Sequence, residues 1–265
     1  MMGFHIVVCI KSVTLAAPKE QMVRTDDTSE LNPYDRPVLE AALRLKEIYG
    51  GLVTALSMGP EASLSALSEA RAMGVDREVL ICDPALAGSD TLATSTALGA
   101  ALQKLAPFDL VFFGVRTADS DTGQVGPQTS VLLGIPFVAM VHHMELHNME
   151  WEKGVFRVER IADHFMEKFE VGTPAAFTIH PGAFDPRDME LSGIGRAFES
   201  QRIERWNLAD LGLTMDLVGD AGSPTRVLSM KRVKKTKKCE FLKGDAREQA
   251  DELMKRLSAS GAIGV

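Results

Sequence analysis

The chain is short of cysteine, of net positive charge and of long apolar runs, and each shortage removes a class of function. Its three cysteines, Cys9, Cys82 and Cys239, stand far apart and form neither a CxxC pair nor a zinc spacing. A disulfide-stapled or zinc-ribbon fold is therefore excluded, and Cys9 and Cys82, set in strand-like runs, read as small buried hydrophobes. Asp and Glu number 36 against 29 Lys and Arg, a formal charge of -7, which gives no electrostatic case for nucleic acid as a partner. No apolar run approaches the roughly 18 residues that read as a membrane span. Met1-Met-Gly-Phe-His5 lacks the basic start and long apolar stretch of a signal peptide. A cytoplasmic chain without direct membrane insertion is expected. Walker A, GxGxxG after a strand, HExxH and the nucleophile elbow are all missing, so no catalytic acid, base or nucleophile is assigned. His142, His143 and His164 have no ligand spacing, and no metal site is expected.

What is present is a soluble globular balance, 45% apolar and 25% charged over 265 residues, enough for one large domain or one with an extension. Phe4-His-Ile-Val-Val-Cys-Ile10 is almost continuously apolar and β-branched, the pattern of a parallel strand buried on both faces. Similar runs recur at 52–57, 78–82, 110–113 and 137–140. Between them lie helical patterns at 36–49, 61–73 and from Ser89-Asp90-Thr91 to about Leu105, with Leu92, Leu98, Leu102 and Leu105 toward the sheet. Alternating strands and helices predict an α/β fold, a doubly wound, mainly parallel, Rossmann-like sheet. Beyond residue 141, short strand patterns at 144–148, 155–161, 164–171 and 175–179 suggest an appended β-meander. Residues 180–206 show little periodicity and read as an extended excursion. Residues 207–230 look loop-like, Lys231 to Lys238 is a basic run that reads as a solvated segment, and Ala246 to Ser258 is an amphipathic helix. The division expected is 1–180, including the meander, then 181–206, then a C-terminal arm and helix over 207–265.

In parallel sheets ligands lie beyond the carboxyl ends of the strands. That rim draws together Cys9 to Val13, Met58-Gly59, Asp83 and the turn Gly114-Val-Arg-Thr-Ala-Asp-Ser-Asp-Thr-Gly-Gln-Val-Gly126. In that turn Gly123 and Gly126 permit close backbone approach, and Thr117, Ser120, Thr122 and Gln124 supply neutral hydrogen-bonding groups. Asp119 and Asp121 repel phosphate, so they cap the following helix, read from Gln128 to Gly134, or hold ribose hydroxyls. The turn reads equally as a nucleotide cradle and as a capped loop. Asn32 and Asp35 read as an Asx turn and helix cap, or as nucleotide ligands. Thr91, Thr94 and Ser95 open a helix at the same rim.

The order of several segments resembles the β subunit of electron-transfer flavoproteins. They are Cys9-Ile-Lys-Ser-Val13, Asn32-Pro-Tyr-Asp35 before Leu39-Glu-Ala-Ala-Leu-Arg-Leu-Lys-Glu47, Ser57-Met-Gly-Pro60, Ala70-Arg-Ala-Met-Gly-Val-Asp76 and the 119–126 turn. The resemblance implies an electron carrier made with an α subunit that holds a redox-active FAD, while the β chain holds AMP or, in the electron-bifurcating branch, a second FAD reached by NADH. Ala87 to Ser95, Ser120 to Pro127 and Gly222-Ser-Pro-Thr225 are closer to the second branch; Ser120, where that branch has glycine, and Ser12-Val13-Thr14-Leu15 depart from it. FAD is the cofactor expected in this subunit, with AMP the alternative. The binding set implied is Cys9, Lys11, Asn32, Tyr34, Asp35, Met58, Asp83, Thr91, Thr94, Asp119, Ser120, Asp121, Thr122, Gly123, Gln124, Val125 and Gly126. Asp185-Pro-Arg187 resembles the start of the family's docking loop for an acyl-CoA-type dehydrogenase. Leu191 then falls at the anchor position, with Arg187 and Ile194 beside it in a 185–196 contact segment. A stand-alone adenine-nucleotide-binding enzyme or sensor of similar fold is the competing reading.

Overall fold

The structure is a computed structural model that describes residues 3–14, 28–150, 153–189, 191–199, 203–226, 228–229 and 239–263. The basic run 231–238 and most of the long loop after the first strand lie outside the described residues. Residues Met1–Val227 form one compact unit and Leu228–Val265 a second.

In the first unit, β1 (Phe4–Ile10) leads to a short antiparallel pair, β2 (Ser12–Thr14) with β3 (Ser29–Leu31), and then to α1 (Arg36–Tyr49). There follow β4 (Gly51–Met58), α2 (Leu64–Met73), β5 (Arg77–Ile81), α3 (Thr91–Leu105), β6 (Leu110–Gly114) and α4 (Val125–Leu133). A long β7 (Phe137–Glu150), then β8 (Lys153–Ala162), β9 (Phe165–Gly172) and β10 (Ala175–Ile179) precede α5 (Leu191–Glu199), β11 (Glu204–Trp206) and the short α6 (Gly219–Gly222). The nine-stranded sheet runs β11-β5-β4-β1-β6-β10-β7-β8-β9. It is parallel from β11 to β7 and antiparallel across β7, β8 and β9. The Rossmann-like, doubly wound expectation holds.

Alternation along β1 shows why both faces are covered. Ile6, Val8 and Ile10 enter one apolar cluster with Leu39, Leu43, Leu67, Phe112 and Phe177. Val7 and Cys9 point the opposite way, into a second cluster with Leu98, Leu102, Leu105, Phe113 and Trp206. The first is roofed by α1 and α2, the second by α3.

Four expectations change. Residues 137–148 are one bulged strand, not two, because β7 continues past its pairing with β10 to pair with β8. Residues 175–179 do not close the meander; β10 inserts parallel between β6 and β7, an apolar slot its fully buried side chains fill. The 180–206 stretch is not wholly extended, for it contains α5 and the edge strand β11, paired to β5. Leu92 is exposed, since the register of α3 turns it away from Leu98, Leu102 and Leu105.

The second unit carries α7 (Ala246–Ala259), opened by a capping box in which Asp245 accepts the Arg247 and Glu248 amides and Glu248 returns to the Asp245 amide. Arg256 pairs with Glu252 one turn earlier on the helix and with Glu240, which precedes it.

Candidate functional site

The carboxyl ends of β1, β4, β5 and β6 open onto a cavity of about 890 Å³. Cys9 and Lys11, Met58 to Glu61, Cys82 to Pro84, and Phe113-Gly114 form successive strand-end contributions, and Leu86 and Leu98 extend an apolar floor. Two helix starts face it, Thr91 and Thr94 from α3 and Gln124 to Gly126 from α4, with Thr225 closing one side. Parallel strands put these groups on one edge because every crossover helix returns the chain to the far edge.

One wall is a fixed polar network. Asn32 donates to Asp35 Oδ1 at 2.9 Å and to the Arg116 carbonyl at 3.0 Å, and accepts the Ala118 amide. Asp35 Oδ2 accepts the Lys11 amide at 2.7 Å. A Cβ on Gly114 would lie 2.2 Å from Asp35 Oδ1, so only glycine fits there. Burial raises the Asp35 carboxyl to about 7, against the opposing pull of the Lys11 amide and Asn32. Although Asp35 precedes α1, its side chain makes no cap bond to that helix. Lys11 Nζ lies 2.7 Å from Asp119 and 3.3 Å from the Ser120 hydroxyl. Burial would raise Asp119, but Lys11 and the Thr117 and Ser120 hydroxyls outweigh it and hold the carboxyl below its ordinary range.

The turn beyond is shaped by backbone. Asp121 sits at φ 55° and Gly123 at φ 64°, and Asp121 meets Arg116, whose guanidinium also lies 4.7 Å over the Tyr34 ring. The helix after the turn begins at Val125 rather than Gln128, and its cap position is Gln124, without a side-chain cap bond. Asp119 and Asp121 therefore do not cap α4. Across the cavity, Thr91 Oγ1 donates to Gln124 Oε1 at 3.0 Å and ties the two helix starts. Asp90 Oδ1 accepts the Leu92 and Ala93 amides, while its Oδ2 accepts from the Thr225 amide and hydroxyl.

Most of the sequence-predicted set meets at this cavity. Asn32, Tyr34, Asp119 and Asp121 are not among its lining residues; they brace Asp35, Arg116 and Lys11 from behind. Asp83 lines the cavity, but its carboxylate is taken by the Ala85 and Leu208 amides. Ser95 bonds the Thr91 and Val125 carbonyls and works within the helices. Cys82 is half-buried: it packs against the core cluster and also lines the cavity. Arg116, Leu98 and Phe113 were missed. Strand alternation places Phe113 on the Cys9 face and was the available signal for it.

Burial pushes the Cys9 thiol far above its ordinary range, which leaves it unreactive at neutral pH. No metal-capable group of His, Cys, Asp and Glu occurs among the described residues. Apolar surface beside hydroxyls, an amide and one arginine suits a flat ring joined to a hydroxylated chain. The electron transfer flavoprotein domain family matches residues 20–211. The electron transfer flavoprotein subunit beta of Thermoanaerobacterium thermosaccharolyticum is 36% identical over 242 residues, 91% of each chain. The chain belongs to the electron transfer flavoprotein β-subunit family. The caffeyl-CoA reductase-Etf complex subunit CarD of Acetobacterium woodii is 38% identical over 230 residues, 84% of this chain and 86% of that one. Protein FixA of Azotobacter vinelandii is 35% identical over 233 residues, 84% of this chain and 82% of that one. Membership brings electron transfer and flavin association, and the β designation implies an α-subunit partner. No described helix is long and apolar enough to cross a membrane.

Proposed function

We propose that this chain seats FAD in the rim cavity, with AMP as the alternative, and passes electrons between NADH or an acyl-CoA-type dehydrogenase and a further redox partner as half of an α/β pair. The observation that carries the choice of FAD is the reach of the cavity. At about 890 Å³ it is near the upper end of the roughly 300–1,000 Å³ usual for ligand sites. It also spans two separate helix starts, those of α3 and α4. The residues fit such a group. Arg116 brings positive charge, and Thr91, Thr94 and Gln124 offer hydrogen bonds to a diphosphate or ribityl chain. When bound, FAD supplies the redox chemistry; the chain's own residues position it, exclude water and set local charge.

The test is extraction of the purified α/β complex and a count of nucleotides. Two flavins per pair support FAD here, and NADH oxidation coupled to two acceptors would then extend the reading to bifurcation or confurcation. One flavin and one AMP would overturn FAD in favour of AMP. A colourless single-chain assembly that binds ATP would overturn both and favour the stand-alone nucleotide-binding reading. The dehydrogenase contact is proposed at 185–196, supported by Leu191, the first residue of α5, 89% exposed in spite of its size. Leu191→Ala should weaken electron transfer from that dehydrogenase without changing flavin content.

A further inference from the structure

We propose that Arg187 acts within the chain, as a positioning residue that straps the segment bearing Leu191 to α1, and that Gly193 completes the mount on α2. The inference rests on the docking reading of Leu191 but concerns how that side chain is held.

Arg187 is turned inward by its partners. Its Nε donates to Glu40 Oε2 at 2.7 Å, Nη2 to Glu40 Oε1 at 3.3 Å, and Nη1 to Glu47 Oε1 at 2.6 Å. Its main-chain amide also donates to Glu40 Oε2 at 3.2 Å. Glu40 is a carboxylate only 4% exposed, on the face of α1 that also carries Arg44 and Glu47 and lies away from the core stripe, so the Arg187 segment is what covers it, and Arg44 supplies a second guanidinium. A fork on a buried carboxylate fixes direction as well as distance. The fork is engaged on both arms and its charge is balanced by Glu40 and Glu47.

The chain is held on either side of this point. Upstream, the Gly182 amide donates to His180 Nδ1, and Phe184 packs against the core under the Arg44 guanidinium. Downstream, α5 rests on α2 so closely that a Cβ on Gly193 would come within 2.3 Å of the Ala72 carbonyl oxygen. Leu191 lies between the two fixtures, two residues from one and four from the other, yet stays almost wholly exposed. Preorganisation of this kind lowers the ordering cost of a contact.

The experiment uses the α/β complex with Arg187→Ala, Arg187→Lys, Glu40→Gln and Leu191→Ala. Amide hydrogen exchange is followed over 185–199, with flavin content of each variant as the check on folding. Exchange there should rise about tenfold in Arg187→Ala and Glu40→Gln. It should rise less in Arg187→Lys, which keeps charge without the fork, and stay at the native rate in Leu191→Ala. With a purified acyl-CoA dehydrogenase as donor, KM should rise about tenfold in Arg187→Ala with little change in kcat. Native exchange rates in both Arg187→Ala and Glu40→Gln would overturn the strap whatever the kinetics show. Accelerated exchange together with a native KM in Leu191→Ala would instead overturn the docking reading and leave the strap standing.

Discussion

Asp35→Asn tests the cavity's electrostatics where they are most unusual. The Asp35 carboxyl is buried, accepts only uncharged donors, and is raised to about 7. An unfolded chain releases the same proton near the ordinary value of 3.8. Between those two values the folded state holds a proton that the unfolded state has lost, so stability falls as pH rises through this window and levels off above about 7. The full difference corresponds to roughly 4 kcal/mol at about 1.4 kcal/mol per pH unit, and the part lost between pH 5 and pH 8 is about 2–3 kcal/mol. Asparagine removes the titration. It also sets an amide donor against Asn32 or the Lys11 amide, which costs about 1–3 kcal/mol at every pH. Urea unfolding of both proteins, stripped of small molecules, at pH 5 and pH 8 separates the two effects, because titrating groups not coupled to Asp35 cancel in the comparison. The variant should be the less stable at pH 5, and the gap should move about 2–3 kcal/mol in its favour by pH 8. Parallel stability curves would refute a carboxyl that stays protonated to neutrality.

Other substitutions probe the same architecture. Gly114→Ala drives a methyl group into Asp35 Oδ1 and should cost about 1–3 kcal/mol in urea unfolding, together with nucleotide content in the purified complex; full occupancy at native stability would contradict the close packing. Arg71→Ala strips the ion-pair partner from Glu78, a 1% exposed carboxylate, and should cost about 3–5 kcal/mol. The double variant Arg71→Met with Glu78→Leu should recover most of that loss. Asp90→Ala removes the α3 cap and the hold on Thr225, a loss of about 1–2 kcal/mol. Proteolysis should then reach the chain near residue 225 sooner than in the native protein.

How far the sequence carried the fold can be argued element by element. β1, β4, β5 and β6 were legible because a strand buried on both faces must be apolar at nearly every position, and nothing else so short looks alike. Asp90 at the head of α3 was legible because a cap needs that residue type at that point. The place of β10 was not: composition marks a strand but carries no register, and only the slot between β6 and β7 decides its neighbours. α5 was hidden by Gly193 and Gly195, which lower helix propensity, although Leu191 and Ile194 keep helical spacing. The structure gives the reason for Gly193, since α2 leaves no room for a side chain. At the site, strand ends pointed to the rim, whereas the distinction between Asp35 inside the cavity and Asn32 behind it depends on side-chain direction. Arg187 was legible as part of the docking segment, but its bonds to Glu40 and Glu47 span about 140 residues, a separation no local pattern reports.

α1 connects these observations. Asp35, at its head, stands in the cavity wall. Glu40 and Glu47, on the same helix, take the Arg187 fork. Twelve residues at 1.5 Å each put the far carboxylate about 18 Å along the axis from the cavity. Val38, Leu39, Ala42 and Leu43 lie fully or almost fully buried between them, so shifting the helix would uncover apolar surface worth about 1.5–3 kcal/mol for each large side chain. A helix locked in this way acts as a ruler. It fixes the separation between the rim cavity at its head and the Arg187 fork on Glu40 and Glu47 along its length.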